Sequence, residues 1–364
     1  MIKVSNGKIR KRELMGVFIF FYAVQVMDTT PDLLLKHGKN AAWMMPIISF
    51  LFMLIPFLIL LGIMKRRNTG LTELVLTLMG KRVGTFIMIL FFIIIFSATV
   101  INSRNYTDIF NTMFYPKTPV SYLYVMLMGA SLYIAKRGLE NIARTAWIFT
   151  PIMLILMFAL IGFVWEEISF SRIFPIAGPG LIPILKESAV HSSIYGESIF
   201  LLVLYPFIKK YKDLQWGSLF GWIISVLSLV IFMIVYVVVF DYPAVQNIAY
   251  PFQQVNRLAT IGTISHLESV YLAIWTVASA IHFSLYLYLS AYFLSKALQI
   301  DEFELLLLPL TAISVLTGLI SPNIFVGNAL RESLIQTSSI ILMLFPFVLW
   351  ILHRRKGRMK NETA

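Results

Sequence analysis

The sequence predicts an all-α membrane protein with ten transmembrane helices in two inverted halves. Of its 364 residues, 59% are hydrophobic and only 13% are charged, whereas a soluble domain carries about 25% charged residues. The apolar residues come in runs of about twenty, the length with which a helix crosses a bilayer core. These runs divide into two sets of five, and each set opens with an interrupted helix.

Ten segments are apolar enough to be predicted as spans. We place them at approximately 14–36, 43–64, 84–104, 119–135, 139–164, 188–208, 215–240, 269–296, 303–320 and 334–352. The first segment has the basic start of a signal peptide, but no small-residue cleavage site follows it, so we expect it to be retained as a helix. Residues 1–364 then form a single polytopic membrane domain, with halves at approximately 14–164 and 188–352.

The basic residues predict the orientation of the chain. With the N-terminus inside, 22 of the 30 Lys and Arg fall on the inner side and 8 on the outer side, as the positive-inside rule requires. Both termini are therefore predicted to be cytoplasmic. The same distribution explains the net charge of +12 without nucleic acid as a partner.

Three connections between spans are longer than the others. Residues 65–83 inside and 241–268 outside each contain a pattern for a short helix, "TGLTELVLTLMG" and "PFQQVNRLATIG". Residues 165–187 outside are rich in Pro and Gly. No connection is long enough to hold a soluble domain.

Helix breaks lie at corresponding places in the two halves. Span 1 reads "FYAVQVMDTTPDLLL", where Pro31 lacks an amide donor and disfavours helix at Thr30. Span 6 reads "IYGESIF", with Gly196 as its weak point. An odd number of spans per half inverts the second copy, which is the plan of many secondary transporters. Broken backbone at this depth must be buried in protein or face a watery cavity, so the two breaks predict a small polar chamber.

Glu197 is the strongest single candidate for a functional residue. A carboxylate at mid-bilayer costs roughly 2.5–3.5 kcal/mol on insertion scales. It would contact a ligand amine, carry a proton or belong to a water path; the alternative is a structural hydrogen bond within a broken helix. We favour function, because intramembrane ionisable residues mark sites by default. His282, near mid-depth in span 8, could pair with Glu197 or take its proton.

The other candidate ligand-binding residues carry weaker signals. Asp28 could equally be a helix cap or part of the site. Gln25 and Thr29 could serve only to satisfy backbone groups freed by the break. Ser284 and Tyr288 share one face of span 8, with ordinary helix packing as the alternative. An amino-acid carboxylate could be held by half-helix N-termini without any basic side chain.

Several chemistries find no support in the residues. The chain has no cysteine, which excludes disulfides, thiol catalysis and cysteine-ligated metals. Its five histidines are scattered, and none share a helical metal-binding spacing: His37, His191, His266, His282 and His353. The "GKRVG" at 80–84 lacks the context of a nucleotide site. We therefore expect neither an enzyme nor a bound metal or cofactor.

Several segments resemble the B subunit of GerA-type spore germinant receptors, a family of the amino acid–polyamine–organocation transporter superfamily. They cover nearly the whole chain, in order: "GKIRKRELMGVFIFFYAVQV", "AAWMMPII", "YPKTPVSYL", "KRGLENIAR", "IFPIAGPGLIPIL", "YGESIFLLVLYP" and "SHLESVYLAIWTV". No single piece is specific, whereas the ordered set is. Two departures stand out: the span 1 break lacks the family's usual glycine, and the family's Arg-Leu-Glu before span 8 is here 266–268, His-Leu-Glu.

The resemblance implies a LeuT-like fold and a place in the inner membrane of a bacterial spore. It implies recognition of a small nutrient, often an amino acid such as alanine and sometimes a sugar or nucleoside. It also implies a complex with an A subunit and a C subunit, in which nutrient binding triggers ion release and germination without net transport. The implied pocket lies among spans 1, 3, 6 and 8, where Gln25, Asp28, Tyr195, Gly196, Glu197, Ser284 and Tyr288 fall. A proton-coupled amino acid transporter and a membrane scaffold with a vestigial pocket are the alternatives.

Overall fold

The protein is built from α-helices, most of them long and apolar. The computed structural model describes residues 9–245, 247–259 and 268–362. Its α-helices are α1 (Lys11–Tyr22), α2 (Thr30–Gly38), α3 (Met44–Arg67), α4 (Leu71–Met113), α5 (Val120–Lys136), α6 (Leu139–Phe163), α7 (Leu181–Val190), α8 (Ser193–Gly196), α9 (Ser198–Leu201), α10 (Tyr211–Phe240), α11 (Tyr242–Val245), α12 (Pro251–Leu258), α13 (Glu268–Leu298), α14 (Leu307–Gly318) and α15 (Ile324–Glu362). Short 3₁₀ segments join several of them: Ala23–Val26, Lys39–Ala41, Trp165–Glu167, Phe170–Ile173, Leu202–Phe207 and Phe303–Leu306.

The helices make this a multi-pass membrane protein. In the described part of the chain, 6 helices are long and apolar enough to cross a membrane, or 7 if the bent pair formed by α1 and α2 is one span. Three shorter apolar helices, Val120–Lys136, Ser193–Phe207 and Phe303–Gly318, lie at the predicted spans 4, 6 and 9. The count of ten spans stays a prediction.

The predicted short helices in two long connections are confirmed, and a third helix is new. In α4 the backbone leaves helical geometry at Gly80 (φ 81°, ψ 169°), which sets the short apolar helix before it apart from the span after it. In the second connection, α12 occupies Pro251–Leu258 of the predicted segment; residues 260–267, which include the end of that segment and the first two positions of the His-Leu-Glu departure, lie outside the described residues. The connection 165–187, predicted only to be rich in Pro and Gly, also holds most of α7. We call the side that carries α7 and α12 the outer side, following the predicted orientation.

Helix α1 lies in the middle of the bundle, where it packs mainly on α10 and α6. From Gly16 to Tyr22 every residue is buried. Two glycines of α10 make the close approach possible. A Cβ on Gly221 would lie 2.6 Å from the Met15 carbonyl oxygen, and one on Gly217 would lie 2.8 Å from the Lys11 carbonyl oxygen. Small residues at helix interfaces commonly serve this purpose in membranes.

The first predicted break is present between α1 and α2, whose axes bend by 59°. Side chains from distant elements take up the backbone groups that the break frees. The Tyr236 hydroxyl donates to the Val26 carbonyl at 2.9 Å, and Gln253 Nε2 donates to the Met27 carbonyl at 2.9 Å. Pro31 lies in the first turn of α2, where its missing amide costs nothing. Side chains of α10 and α12 thus satisfy the backbone carbonyl groups that the break leaves without helical partners.

The second predicted break divides span 6 into α8, α9 and the 3₁₀ segment Leu202–Phe207. Its backbone is tied to the first break. Gln25 Nε2 donates to the Ile194 carbonyl at 3.1 Å, and the Tyr22 hydroxyl donates to the Tyr195 carbonyl at 3.0 Å. The two interrupted helices therefore meet, as we predicted, and hold each other's exposed backbone.

One boundary prediction is wrong and matters for the site. We placed the last span at 334–352 and Arg331 in the outer connection before it. Helix α15 instead begins at Ile324, and Arg331 lies two turns into it with 6% of its surface exposed. A hydropathy window excludes a charged residue from a span, but the helix includes it because the side chain finds polar partners inside the bundle.

Candidate ligand-binding site

A small polar chamber lies where the two breaks meet. Its walls come from the breaks and from α4, α13 and α15: Gln25, Asp28, Ala98, Asn102, Ser193, Ile194, Glu197, His282, Tyr286, Arg331, Leu334, Ile335 and Ser338. The free volume is ≈ 20 Å³, room for about one water molecule. The chamber predicted from the two breaks is thus present, in a contracted form.

Arg331 is the positive group of the chamber. Its Nε donates to Asn102 Oδ1 at 3.0 Å, and its Nη2 donates to Thr30 Oγ1 at 2.7 Å and to Asp28 Oδ2 at 3.3 Å. A further bond from Nη1 reaches Thr29 Oγ1 at 3.3 Å. The guanidinium thereby joins α15 to α4 and to the start of α2. A buried Arg is tolerated because its charge is paired and its donors are used.

Asp28 contacts both the start of α2 and the cation of the chamber. Its Oδ1 accepts from the amide of Thr30, the first residue of α2, at 2.6 Å. Its Oδ2 accepts from Arg331 and, at 3.3 Å, from the Tyr106 hydroxyl. The residue is 4% exposed. One carboxylate thus fixes the break and neutralises the chamber's cation.

Glu197 is the carboxyl group nearest to the second break. The Tyr286 hydroxyl donates a hydrogen bond to its Oε2. Tyr286 is itself held by stacking on Phe21, with ring centroids 4.8 Å apart and planes 7° apart. His282, considered above as a partner for Glu197, instead directs Nδ1 at the Phe20 carbonyl at 3.2 Å. Because a carbonyl can only accept, Nδ1 carries the proton of that contact.

Two polar atoms of the lining have no partner in the part of the chain that the structure describes. They are Gln25 Oε1 and Ser338 Oγ, both buried. Buried polar atoms are normally hydrogen-bonded, and each exception calls for a reason. Here the amide oxygen could accept from a bound ligand, and the hydroxyl could donate or accept. These two atoms are therefore available to form hydrogen bonds with a ligand beside the charged groups.

A second cavity of ≈ 220 Å³ lies on the outer side of Arg331, between α2 and α15. We call it the vestibule; it is lined by Thr29, Asp32, Leu33, Lys36, Phe325, Asn328, Ala329, Arg331 and Glu332. Arg331 lines both the vestibule and the chamber. Its side chain and partners therefore form the partition between them.

The structure brings together half of the predicted site residues. Gln25, Asp28 and Glu197 line the chamber, and Thr29 contacts it through Arg331. Tyr195 and Gly196 are adjacent in the chain but face elsewhere. The Tyr195 ring packs on Tyr22 with centroids 5.5 Å apart, and a Cβ on Gly196 would meet Leu342 Cδ1 at 3.0 Å.

The two candidates on α13 do not line the chamber in this structure. Ser284 donates to the Ile281 carbonyl one turn back at 2.6 Å. Tyr288 packs its ring on Phe303, with centroids 5.0 Å apart. Tyr286, two residues earlier, points into the chamber instead. The two predictions stay untested as ligand contacts.

Five polar lining residues were not among the predicted site residues: Asn102, Ser193, Tyr286, Arg331 and Ser338. A signal for Arg331 was available, since an Arg just before an apolar run is also compatible with a longer helix. Arg104, two residues after Asn102, pairs with Asp108 one turn on at 3.1 Å. Tyr286 gave no signal, since aromatic residues recur throughout span 8.

Solved structures of transporters share this fold. Mhp1, a nucleobase-cation-symport-1 family transporter in a closed conformation with bromovinylhydantoin bound, superposes with a TM-score of 0.64 at 11% identity, over 95% of this chain and 78% of that one. The Eremococcus coleocola manganese transporter gives a TM-score of 0.63 at 12% identity, over 93% and 77%. The LeuT-like prediction is thereby supported at the level of the fold.

Sequence comparisons identify the family. Spore germination protein KB of Bacillus subtilis (strain 168) is 24% identical over 99% of this chain and 100% of its own length. Spore germination protein XB of Bacillus anthracis is 28% identical over 56% of each chain. The family model described as "Spore germination protein" matches residues 14–324. The resemblance to B subunits of GerA-type receptors is confirmed, and the chain belongs to the spore germination protein family.

Proposed function

We propose that the chain is the membrane subunit of a spore nutrient germinant receptor and that it binds an amino acid in the chamber between the helix breaks. The observation that carries this proposal is that a guanidinium and a carboxyl group line the same chamber. Arg331 and Glu197 both line it, one on α15 and the other at the second break. An α-amino acid carries a carboxylate and an ammonium group, so it complements both.

The expected contacts follow from the groups in the lining. Arg331 would bind the ligand carboxylate, for which a guanidinium offers a two-pronged set of donors. Glu197 would accept from the ligand ammonium, with Tyr286 keeping the carboxylate oriented. Gln25 Oε1 is a further acceptor close to the same break. A sugar or nucleoside lacks the two charges and would use this pair poorly.

Binding requires the chamber to open. Room for about one water cannot hold an amino acid, so the ligand would bind an arrangement in which the partition has moved. In the closed form Arg331 is bound to Asp28, Thr29 and Thr30 at the start of α2. A ligand carboxylate would compete for these donors and release α2 from α15. It would favour the open arrangement because it binds that arrangement better.

We propose further that the subunit lies in the spore inner membrane, in a complex with receptor A and C subunits, and that both termini are cytoplasmic. The family resemblance supports the location and the partners, and the distribution of the Lys and Arg residues supports the orientation. Movement of α2 against α15 would be the change that those partners sense. Germination would then follow ligand binding without net transport of the ligand.

The second candidate function is a proton-coupled amino acid transporter. The transporter fold and the position of Glu197 in the chamber favour it, because a chamber carboxylate can carry the proton. Uptake of labelled ligand into proteoliposomes under a pH gradient separates the two. A receptor would bind without uptake, whereas a transporter would accumulate label and lose accumulation in Glu197→Gln.

A ligand screen on the purified protein tests the proposal. Thermal unfolding would be followed with the twenty amino acids, common sugars and inosine, for wild type and Glu197→Gln. A ligand at 100 times its Kd stabilises the fold by about 2.7 kcal/mol, so a real ligand is easily seen. We expect a selective shift with one or a few amino acids that weakens in Glu197→Gln. A shift produced only by uncharged sugars or inosine would overturn the assignment.

A further inference from the structure

A cluster of two histidines and two glutamates lies on the outer side, beyond the vestibule. It draws on three separate parts of the chain: His37 in the last turn of α2, Glu187 and His191 at the end of α7, and Glu332 on α15. The spacing of these residues along the chain gave no indication of it, since 154 positions separate the two histidines. Only the fold brings their rings together, with centroids 4.8 Å apart.

Each imidazole in the cluster lies between the two carboxylates. His37 Nδ1 is 3.3 Å from Glu187 Oε2, and His37 Nε2 is 3.0 Å from Glu332 Oε1. His191 Nδ1 is 3.6 Å from Glu187 Oε2, and His191 Nε2 is 3.9 Å from Glu332 Oε1. The two rings therefore present one edge to Glu187 and the other edge to Glu332.

The edge that faces Glu187 has two of the three ligand separations of a tetrahedral metal site. One ligand atom each from His37, Glu187 and His191 lie within 4.8 Å of one another. Around a tetrahedral zinc ion with bonds of about 2.1 Å, ligand atoms are about 3.4 Å apart. The two contacts of Glu187 Oε2, at 3.3 and 3.6 Å, already match that separation. Imidazole and carboxylate are ligands that suit divalent ions of this class.

The other edge supplies what metal-bound histidines need. A ligating imidazole usually donates its second N–H to a carboxylate, which fixes the tautomer and the ring orientation. Glu332 Oε1 is placed to accept from His37 Nε2 at 3.0 Å. Lys36 Nζ holds the other Glu332 oxygen at 2.8 Å and balances its charge. Glu187 then remains as the acidic ligand that compensates a dication.

We propose that His37, Glu187 and His191 form a binding site for a zinc-class divalent cation, with Glu332 as the carboxylate that orients His37. The Nε2 atom of His191 contacts Gln336 Nε2 at 3.4 Å. The side chains of His37 and Glu187 are 20% and 27% exposed, so an ion can enter from the outer side and keep a water as its fourth ligand. His191 Nδ1 now contacts the Glu187 carbonyl at 2.9 Å, so binding must remove that proton and turn the ring. The bound ion would tie α2 to α7.

Metal titration of the full chain tests this site. The protein would be purified without a histidine tag, treated with a chelator and titrated with Co²⁺, whose visible absorption reports tetrahedral coordination. Zn²⁺ would then displace Co²⁺. We expect one equivalent to bind, at least ten-fold more weakly in His37→Gln and in His191→Gln, and more weakly as pH falls because protons compete for the ligands. His353→Gln, at the opposite end of α15, is the matched control and should bind normally.

Each other outcome argues against the site. An imidazolium held between two carboxylates is the competing explanation; it would give pH-dependent stability but no Co²⁺ spectrum in wild type. Binding that persists in both histidine variants, or that His353→Gln also removes, would place the metal elsewhere. If His191→Gln, at a fully buried position, fails to fold, the partly exposed Glu187→Gln serves instead, because it removes a ligand without opening the core.

Discussion

Arg331 offers the most quantitative test of the chamber. Replacing it by Met keeps an unbranched side chain of similar length in α15 but removes the charge and all its donors. Asp28 would then be a buried carboxylate, 4% exposed, with only the Thr30 amide and the Tyr106 hydroxyl as partners. Removing one partner of a buried pair costs about 3–5 kcal/mol. We expect Arg331→Met to lower the free energy of unfolding by this amount.

A double-mutant cycle isolates the pair. In Arg331→Met with Asp28→Asn no charge is left uncompensated, so the double variant should be less destabilised than the sum of the two single variants, with a coupling of at least about 1 kcal/mol. Unfolding by sodium dodecyl sulfate in mixed micelles provides the free energies. Arg144→Met is the matched control: Arg144 is 61% exposed in its pair with Glu140, so its charge stays largely hydrated and about 0–1 kcal/mol is at stake. Additive effects at Arg331 and Asp28, or equal losses at Arg331 and Arg144, would refute the reasoning.

Two further substitutions probe the chamber and the bundle. Tyr286→Phe removes the hydrogen bond to Glu197 and should lower the free energy of unfolding by about 1.5–3 kcal/mol. Tyr288→Phe is its control and should cost less than 1 kcal/mol in the same assay, because the Tyr288 ring packs outside the chamber. Equal losses in the two variants would show that the hydrogen bond is unimportant. Gly221→Ala should destabilise the protein by about 1–3 kcal/mol, because the new methyl group would lie 2.6 Å from the backbone of α1. Gly129→Ala is its control and should be neutral or stabilising in thermal unfolding, because open space surrounds Gly129. A neutral Gly221→Ala would mean that α1 and α10 can separate freely.

Local chemistry explains which parts of the fold could be predicted from the sequence. Pro31 and Gly196 mark the breaks because proline and glycine act on the backbone where they stand, and the structure has a break at each. A Pro followed by an amphipathic pattern predicted the short helix α12. The beginning of α15 was missed because hydropathy treats a charged residue as a boundary. Whether Arg331 can enter the bundle depends on Asp28, about 300 residues away, which no window contains.

The residues of the candidate site also divide into those that the local sequence indicates and those that only the packing of the helices brings together. The sequence identified the groups that lie at the breaks themselves, Gln25, Asp28 and Glu197. It did not distinguish Tyr286 from Tyr288, because one helix carries both and only its rotation in the bundle decides which faces the chamber. The outer cluster was hidden for a related reason. His37 and His191 form a pair only because α2 and α7 pack together, and a search for regular spacing along one helix cannot detect that.

The most direct test of the central claim is the dissociation constant of the best amino acid from the ligand screen, measured by calorimetry on wild type, Glu197→Gln and Ser284→Ala. If the chamber binds the ligand ammonium through Glu197, its loss removes a charge-assisted hydrogen bond worth about 1.5–3 kcal/mol, and Kd should rise at least ten-fold. Ser284→Ala should leave Kd unchanged, because Ser284 bonds to its own helix. An unchanged Kd in Glu197→Gln, with the protein folded, would show that the ligand does not bind between Arg331 and Glu197.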